Sequence, residues 1–229
     1  MHLASKVDGV DPLPLDPRSY GGTYKLVGGQ ISLDLVNTVS WPGTAREHDW
    51  FDPPGNITLW AELTGLVAEP TRRRLDHELR ADPARLAAEV AAVARIRQTL
   101  RDAIAPLAQG RTPPDHAVHE LNRALAATAG RRYVDPGTLA WAWPEPMTLE
   151  ELLAPVVHNA AEVMTAGDAR RLGHCPSCDW LFHDTTRNAS RRWCDMADCG
   201  SRDKALRYYH RHRPPTPGND HETERRPSG

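Results

Sequence analysis

At 229 residues the chain is long enough for one good core plus a small appended module, and 40% hydrophobic with 25% charged residues excludes a fibrous or wholly disordered protein. The first twenty residues lack the apolar stretch of a secretory signal, and no segment approaches the roughly 20 apolar residues of a membrane span, so a cytoplasmic protein without membrane contact is expected. The formal net charge of -2 hides a segregation, because residues 170–213 hold ten Arg or Lys against five Asp while residues 1–169 hold 16 basic against 22 acidic groups.

Residues 1–19 read as an N-terminal extension. Tyr24 and Leu26, then Gly28-Gly29, then Ile31, Leu33 and Leu35 alternate apolar and polar around two glycines, which predicts a β-hairpin. Asp34, Asn37 and Thr38 would then stand at the end of an apolar strand, close to Trp41. There they either orient a small ligand at a pocket mouth or cap the strand end and the turn after it. Trp41 to Pro54, rich in Pro, Gly and charge, reads as loop. Leu59, Trp60, Leu63, Leu66 and Val67 recur at helical spacing and stop before Pro70.

Asp82-Pro83 opens the clearest helix, whose stripe of Leu86, Val90, Val93, Leu100, Ile104 and Leu107 is interrupted only by Arg97 and frays at Pro106. A second helix follows Thr112-Pro113-Pro114, faces inward through Val118, Leu121 and Leu125, and closes at Gly130. Arg132 to Val134, the turn residues Asp135-Pro136-Gly137, and Leu139, Trp141 and Trp143 predict a hairpin. Thr148 with Glu151 makes a capping-box pattern before a helix that Pro155 should kink or split. Trp60, Trp141 and Trp143 read as core. Residues 20–168 thus form a helical unit with hairpins, read from its size as a ligand-sensing or dimerising part. Residues 169–213 form a separate module, and 214–229 a disordered tail.

All four cysteines fall in that module. Cys175-Pro-Ser-Cys178 and, after fifteen intervening residues, Cys194-Asp-Met-Ala-Asp-Cys199 are two chelating pairs at the separation of a four-thiolate zinc site. Four unrelated buried thiols would not fall into such pairs; an iron–sulfur cluster is the alternative occupant. His174 and His183 flank the site without being needed as ligands. Trp180 to Phe182 and Arg187 to Trp193 read as the two arms of a short hairpin, and Ser201 as the N-cap of a helix from Arg202 to about Arg211. Arg187, Arg191 and Arg192 on the hairpin, with Arg202, Lys204, Arg207 and Arg211 on the helix, make a basic face suited to double-stranded DNA. No phosphate-cradling glycine motif, nucleophile elbow or close cluster of acids and histidines advertises an enzyme.

The run from Cys178 through Trp180-Leu-Phe-His-Asp-Thr-Thr-Arg-Asn-Ala-Ser-Arg-Arg-Trp-Cys194 to Cys199-Gly-Ser-Arg-Asp-Lys-Ala205 resembles the CGNR zinc-finger proteins. Upstream, Leu33-Asp-Leu-Val-Asn-Thr38 is similar to the ABATE-type domain that usually precedes this finger, so the likeness spans about residues 20–213. The naming tetrad is here Cys199-Gly200-Ser201-Arg202, with Ser where Asn is usual, and the first cysteine pair is closer than in many members. The resemblance implies a transcription regulator that binds one zinc ion through Cys175, Cys178, Cys194 and Cys199. The fold class expected is α+β and predominantly helical, ending in a treble-clef-like zinc module. Two other readings stand beside the DNA-binding one: a zinc-dependent RNA- or protein-binding module, and a thiol redox sensor. A homodimer and a small-molecule ligand of the helical unit are further expected partners.

Overall fold

The structure, a computed structural model, describes residues 11–212. The tail expected from Pro214 lies outside the described residues, as does the first half of the N-terminal extension. The second half is already part of the packed unit. Leu15 is buried, Leu13 bridges Tyr24, and Asn56 accepts from the Asp16 N–H (3.1 Å) and donates to its carbonyl (2.9 Å).

Where a hairpin was expected around Gly28-Gly29, the chain instead makes a turn, with Gly29 at φ 74°, and then α1, Ile31–Val36. The apolar–polar alternation misleads here because the polar positions are buried too. The Asp34 carboxylate accepts from the Gly28 N–H (2.7 Å), and the Ser32 hydroxyl donates to Asn159 (2.8 Å). A short helix can therefore be buried on all sides. Within the expected loop, Trp41 to Pro54, a short strand β2 (His48–Asp49) pairs antiparallel with β1 (Val39–Ser40), which lies just before it.

Helix α2 spans Gly55–Leu63 and stops at Gly65, where φ is 75°, so Leu66 and Val67 fall outside it. Helix α3, Glu69–Ala81, has no counterpart among the elements expected from the sequence. Its composition is strongly polar, and it buries only Thr71, Leu75 and Leu79, one residue per turn. It is laced by Arg72 to Glu62 and Asp76 and by Arg74 to Glu78.

The expected long helix is α4, Pro83–Ala108. Asp82 caps it by accepting from the Arg85 N–H (3.0 Å), and the helix runs on past Pro106, which is buried in its last turn. Its polar interruption, Arg97, is an anchor. The guanidinium grips Asp49 through both forks (2.7 Å for one) and donates to the Thr38 hydroxyl (3.0 Å), fixing the β1–β2 hairpin to the helix.

Helix α5, Asp115–Thr128, packs on α4. The predicted second hairpin forms as β3 (Tyr133–Val134) and β4 (Trp141–Ala142). It is exposed, so Trp141 is surface and not core, whereas Trp60 is fully buried. Trp143, partly buried, stands edge-on to His158. The Thr148 hydroxyl caps α6, Leu149–Leu152, through the Glu151 N–H (3.1 Å), while the Glu151 carboxylate accepts from Met147, one residue before the position a full capping box uses. The helix breaks at Leu153, ahead of Pro155, and resumes as α7, Ala154–Thr165. The result is a predominantly helical α+β fold with antiparallel two-stranded hairpins, and its apolar core runs without interruption into the cysteine module. Among the described residues no helix is long and apolar enough to cross a membrane.

Candidate metal centre

Strand β5 (Leu172–His174) pairs antiparallel with β6 (Leu181–His183), matching Gly173 to Phe182. The partner of the Trp180–Phe182 arm thus lies before the first cysteine, and the expected pairing with residues 187–193 does not form. Gly173 permits this pairing, since a Cβ there would meet the Phe182 ring at 2.2 Å. The turn between the strands carries Cys175 and Cys178, closed by the Cys175 N–H to Trp180 (2.9 Å) and the Asp179 N–H to Cys175 (3.0 Å).

From Asp184 to Cys194 the chain is a loop tied back on Asp184, whose carboxylate accepts from the Thr186 N–H (2.8 Å) and the Arg191 N–H (2.7 Å). Burial pushes that carboxyl up, but these bonds hold it below its usual range. Asp195 then caps a wide turn, Met196–Gly200, accepting from Ala197 (2.7 Å) and Asp198 (3.2 Å). Cys199 sits in that turn. Helix α8, Ser201–His212, follows directly, so Ser201 is already helical and Asp195 performs the capping expected of it.

These elements bring four sulfurs together. The Sγ atoms of Cys175, Cys178, Cys194 and Cys199 all lie within 4.8 Å of one another, with Cys178 to Cys194 at 3.3 Å and Cys194 to Cys199 at 3.6 Å. Tetrahedral Zn2+ with bonds of about 2.3 Å needs sulfur–sulfur edges of about 3.8 Å, so the set fits. All four are buried and none is in a disulfide. They are placed to bind one metal ion. His174 is held by Asp179, and the His183 backbone N–H donates to the Gly28 carbonyl; neither ring joins the sulfurs.

The residues offered as a ligand site, Asp34, Asn37 and Thr38, are buried at the seam between the helical unit and this module, not at a pocket mouth. Asn37 makes a two-way bond with Leu181 of β6, donating to its carbonyl and accepting from its N–H, both at 2.8 Å. Thr38 donates to Leu35 (2.7 Å) and accepts from Arg97. Burial pushes the Asp34 carboxyl up to about 7, against the Gly28 N–H and the Arg191 charge. More of the seam had no sequence signal. Lys25 pairs with Asp195 (3.0 Å) and Asp198 (2.7 Å), Arg101 pairs with Asp179, and the Trp41 indole donates to Ser177 (2.9 Å).

The seven basic residues of the expected nucleic-acid face divide. Arg187, Arg192, Arg202, Lys204 and Arg211 are exposed and form no ion pair among the described residues. Arg207 is exposed but pairs with Asp203 (2.8 Å). Arg191 faces inward. It lies 4.4 Å over the Phe182 ring and donates to the carbonyls of Val27 (2.9 Å), Trp193 (3.1 Å) and Cys194, with burial pulling its pKa down. Its neighbour's chemistry could not have separated the two, since only the fold decides which arginine turns in.

Compared with known families, residues 29–167 match the ABATE model, described as "Putative stress-induced transcription regulator", and residues 171–212 match the CGNR zinc finger. The zinc-finger match identifies the ion for which the four sulfurs are arranged as zinc. No curated protein matches the chain.

Proposed function

The chain belongs to the ABATE family of transcription regulators and carries a CGNR zinc finger, and from that premise we propose that it binds double-stranded DNA through the outward face of the finger. The helical unit then serves as the sensing or dimerising part. One observation carries the reading: Arg187, Arg192, Arg202, Lys204 and Arg211 are exposed and have no carboxylate partner among the described residues, on a loop and helix anchored by the metal centre. Cations left unpaired keep their full attraction for phosphate, and arginine forks also match guanine edges. Helix α8 buries no residue, so its twelve residues, about 18 Å long, are free to lie in a groove or along a backbone. Neither matching family is described as an enzyme.

Fluorescence anisotropy of the zinc-loaded chain on a duplex, over a range of salt concentrations, tests this. Replacing Arg187, Arg192, Lys204 and Arg211 by Ala together is expected to reduce the slope of log affinity against log salt by about 3 to 4, near 0.9 for each phosphate no longer neutralised. An unchanged slope and affinity would remove the basic face from the reading. Tighter binding to single-stranded RNA than to the duplex would move the function to RNA.

A further inference from the structure

The β3–β4 hairpin turns an apolar surface to water. The twelve residues from Tyr133 to Pro144 carry one charged group, Asp135, and it is taken up by the hairpin's own turn, accepting from the Gly137 N–H (3.1 Å) and from the Thr138 N–H (2.8 Å) and hydroxyl (2.9 Å). Tyr133, Val134, Leu139, Trp141 and, further on, Met147 are exposed, Leu139 at 81% and Trp141 at 56%. With large side chains offering about 150–250 Å² each, such fractions put on the order of 500 Å² of apolar surface in water, close to the upper end of the roughly 300–600 Å² of the largest patch on an ordinary monomer.

Two further features set this patch apart from a solvated loop. Leu139 holds a left-handed backbone at φ 52°, at a turn position that Gly or Asn fills without strain, so a bulky apolar side chain is kept at the tip at a cost to the fold. The strands are also bare at their edges, since they pair with each other and with no other strand among the described residues. The Asp135 N–H bonds to the Ala140 carbonyl (2.9 Å), so by antiparallel alternation the backbone groups of the next pair, Val134 and Trp141, point out of the ladder. An edge left alone in water is ordinarily protected by charge or by a covering element; neither strand carries a charge, and Val134 and Trp141 are both exposed. Arg132, 4.6 Å from the Trp141 ring, stacks on it and holds it in place.

We infer that the β3–β4 hairpin is a dimer surface whose partner is a second copy of this chain. Area and charge both point to a copy. Two such patches face to face cover about 1,000 Å², the lower bound of a specific interface, and a two-fold axis brings them together because the same patch then lies on both sides. Interfaces between copies are more apolar than those between unlike proteins, and their centres are poor in charge. A surface whose single carboxylate is satisfied by its own turn opposes no like charge when it meets itself, and has none with which to select an unlike protein. The inference rests on the dimerising part of the proposed function, whose surface it names, and does not need DNA binding. On a duplex the pairing would let one bound finger hold the second close by.

Sedimentation equilibrium of the zinc-loaded full chain without DNA, from about 1 to about 300 µM, tests it; an interface at the lower bound of size should give a monomer–dimer equilibrium with a Kd of about 10–100 µM. Val134→Thr combined with Leu139→Asn suits each backbone, a β-branched residue in the strand and one tolerant of positive φ at the tip, so the dimer should weaken about tenfold or more while the urea midpoint of the monomer stays that of the parent. Leu139→Asn alone, which relieves strain, should weaken the dimer in the same direction, so the loss does not depend on a damaged fold. Leu206→Gln, at an exposed position of α8, should leave the dimer unchanged. A monomer at every concentration, a double variant that dimerises like the parent, or a dimer that Leu206→Gln weakens equally would overturn the inference. A chain that dimerises through the hairpin but binds no duplex keeps this surface and loses the DNA-binding reading, and one that binds duplex as a monomer does the reverse. A dimer indifferent to the hairpin variants keeps the dimerising role and loses this surface.

Discussion

The helical unit and the zinc finger reach a buried state by opposite means. In the helical unit, apolar side chains at helical spacing close on one another, as Val93, Leu100 and Ile104 of α4 do. The finger has few such residues. Leu172, Leu181 and Phe182 are buried toward the helical unit, and α8 buries nothing. Four sulfurs replace the missing core, and a polar seam through Asn37, Arg191 and Lys25 fastens the metal centre to its neighbour. The finger therefore has two faces with different jobs, and a basic residue's job follows from the face it is on.

The largest effect should come from removing the metal. Structural zinc contributes roughly 10–16 kcal/mol of apparent binding free energy in small modules, far more than the finger's apolar contacts supply. Chelation or Cys199→Ser is expected to leave α2 to α5 folded while the backbone amides of β5 and β6 lose hydrogen-exchange protection. Equal loss in both regions would mean that they form one cooperative unit, and no loss would mean that the finger stands without its ion.

Asn37→Ala tests the seam at a smaller scale. It strands the buried N–H and carbonyl of Leu181, each of which costs about 1–3 kcal/mol when left without a partner, so urea unfolding of the zinc-loaded chain should show a loss of roughly 2–6 kcal/mol. A change below about 0.5 kcal/mol would mean that the seam contributes little to holding the finger.

The metal site was readable in the sequence because its four cysteines sit in two close pairs, a spacing that chelates one ion and that unrelated buried thiols would not show. Helix α4, the exposed hairpin and the break at Leu153 were readable from period, turn residues and proline. Helix α1 was not. Its alternation imitates a strand, and what contradicts that is the partner of Ser32, Asn159, 127 residues away. Helix α3 escaped because ion pairs and three buried side chains hold it in place of an apolar stripe. The role of Asn37 was out of reach for the same reason as that of Ser32, since its partner Leu181 lies in another region of the chain.

The smallest and most discriminating comparison is between adjacent arginines. Arg191 places its guanidinium on the carbonyls of Val27, Trp193 and Cys194 and spans the seam, so Arg191→Ala should cost about 2 kcal/mol in the zinc-loaded protein, the worth of charge-assisted bonds to part-buried acceptors. Arg192 is exposed, with only the Trp193 ring 5.0 Å away, so Arg192→Ala should stay within about 0.5 kcal/mol. On a duplex the order should reverse: Arg192→Ala lowers the salt slope by about 1, whereas Arg191→Ala leaves the slope unchanged so long as zinc is retained. The same substitution at two neighbouring positions thus reads stability at one and phosphate binding at the other. If both variants lost stability equally, or both kept the slope of the parent, the division of the finger into an inward and an outward face would be wrong.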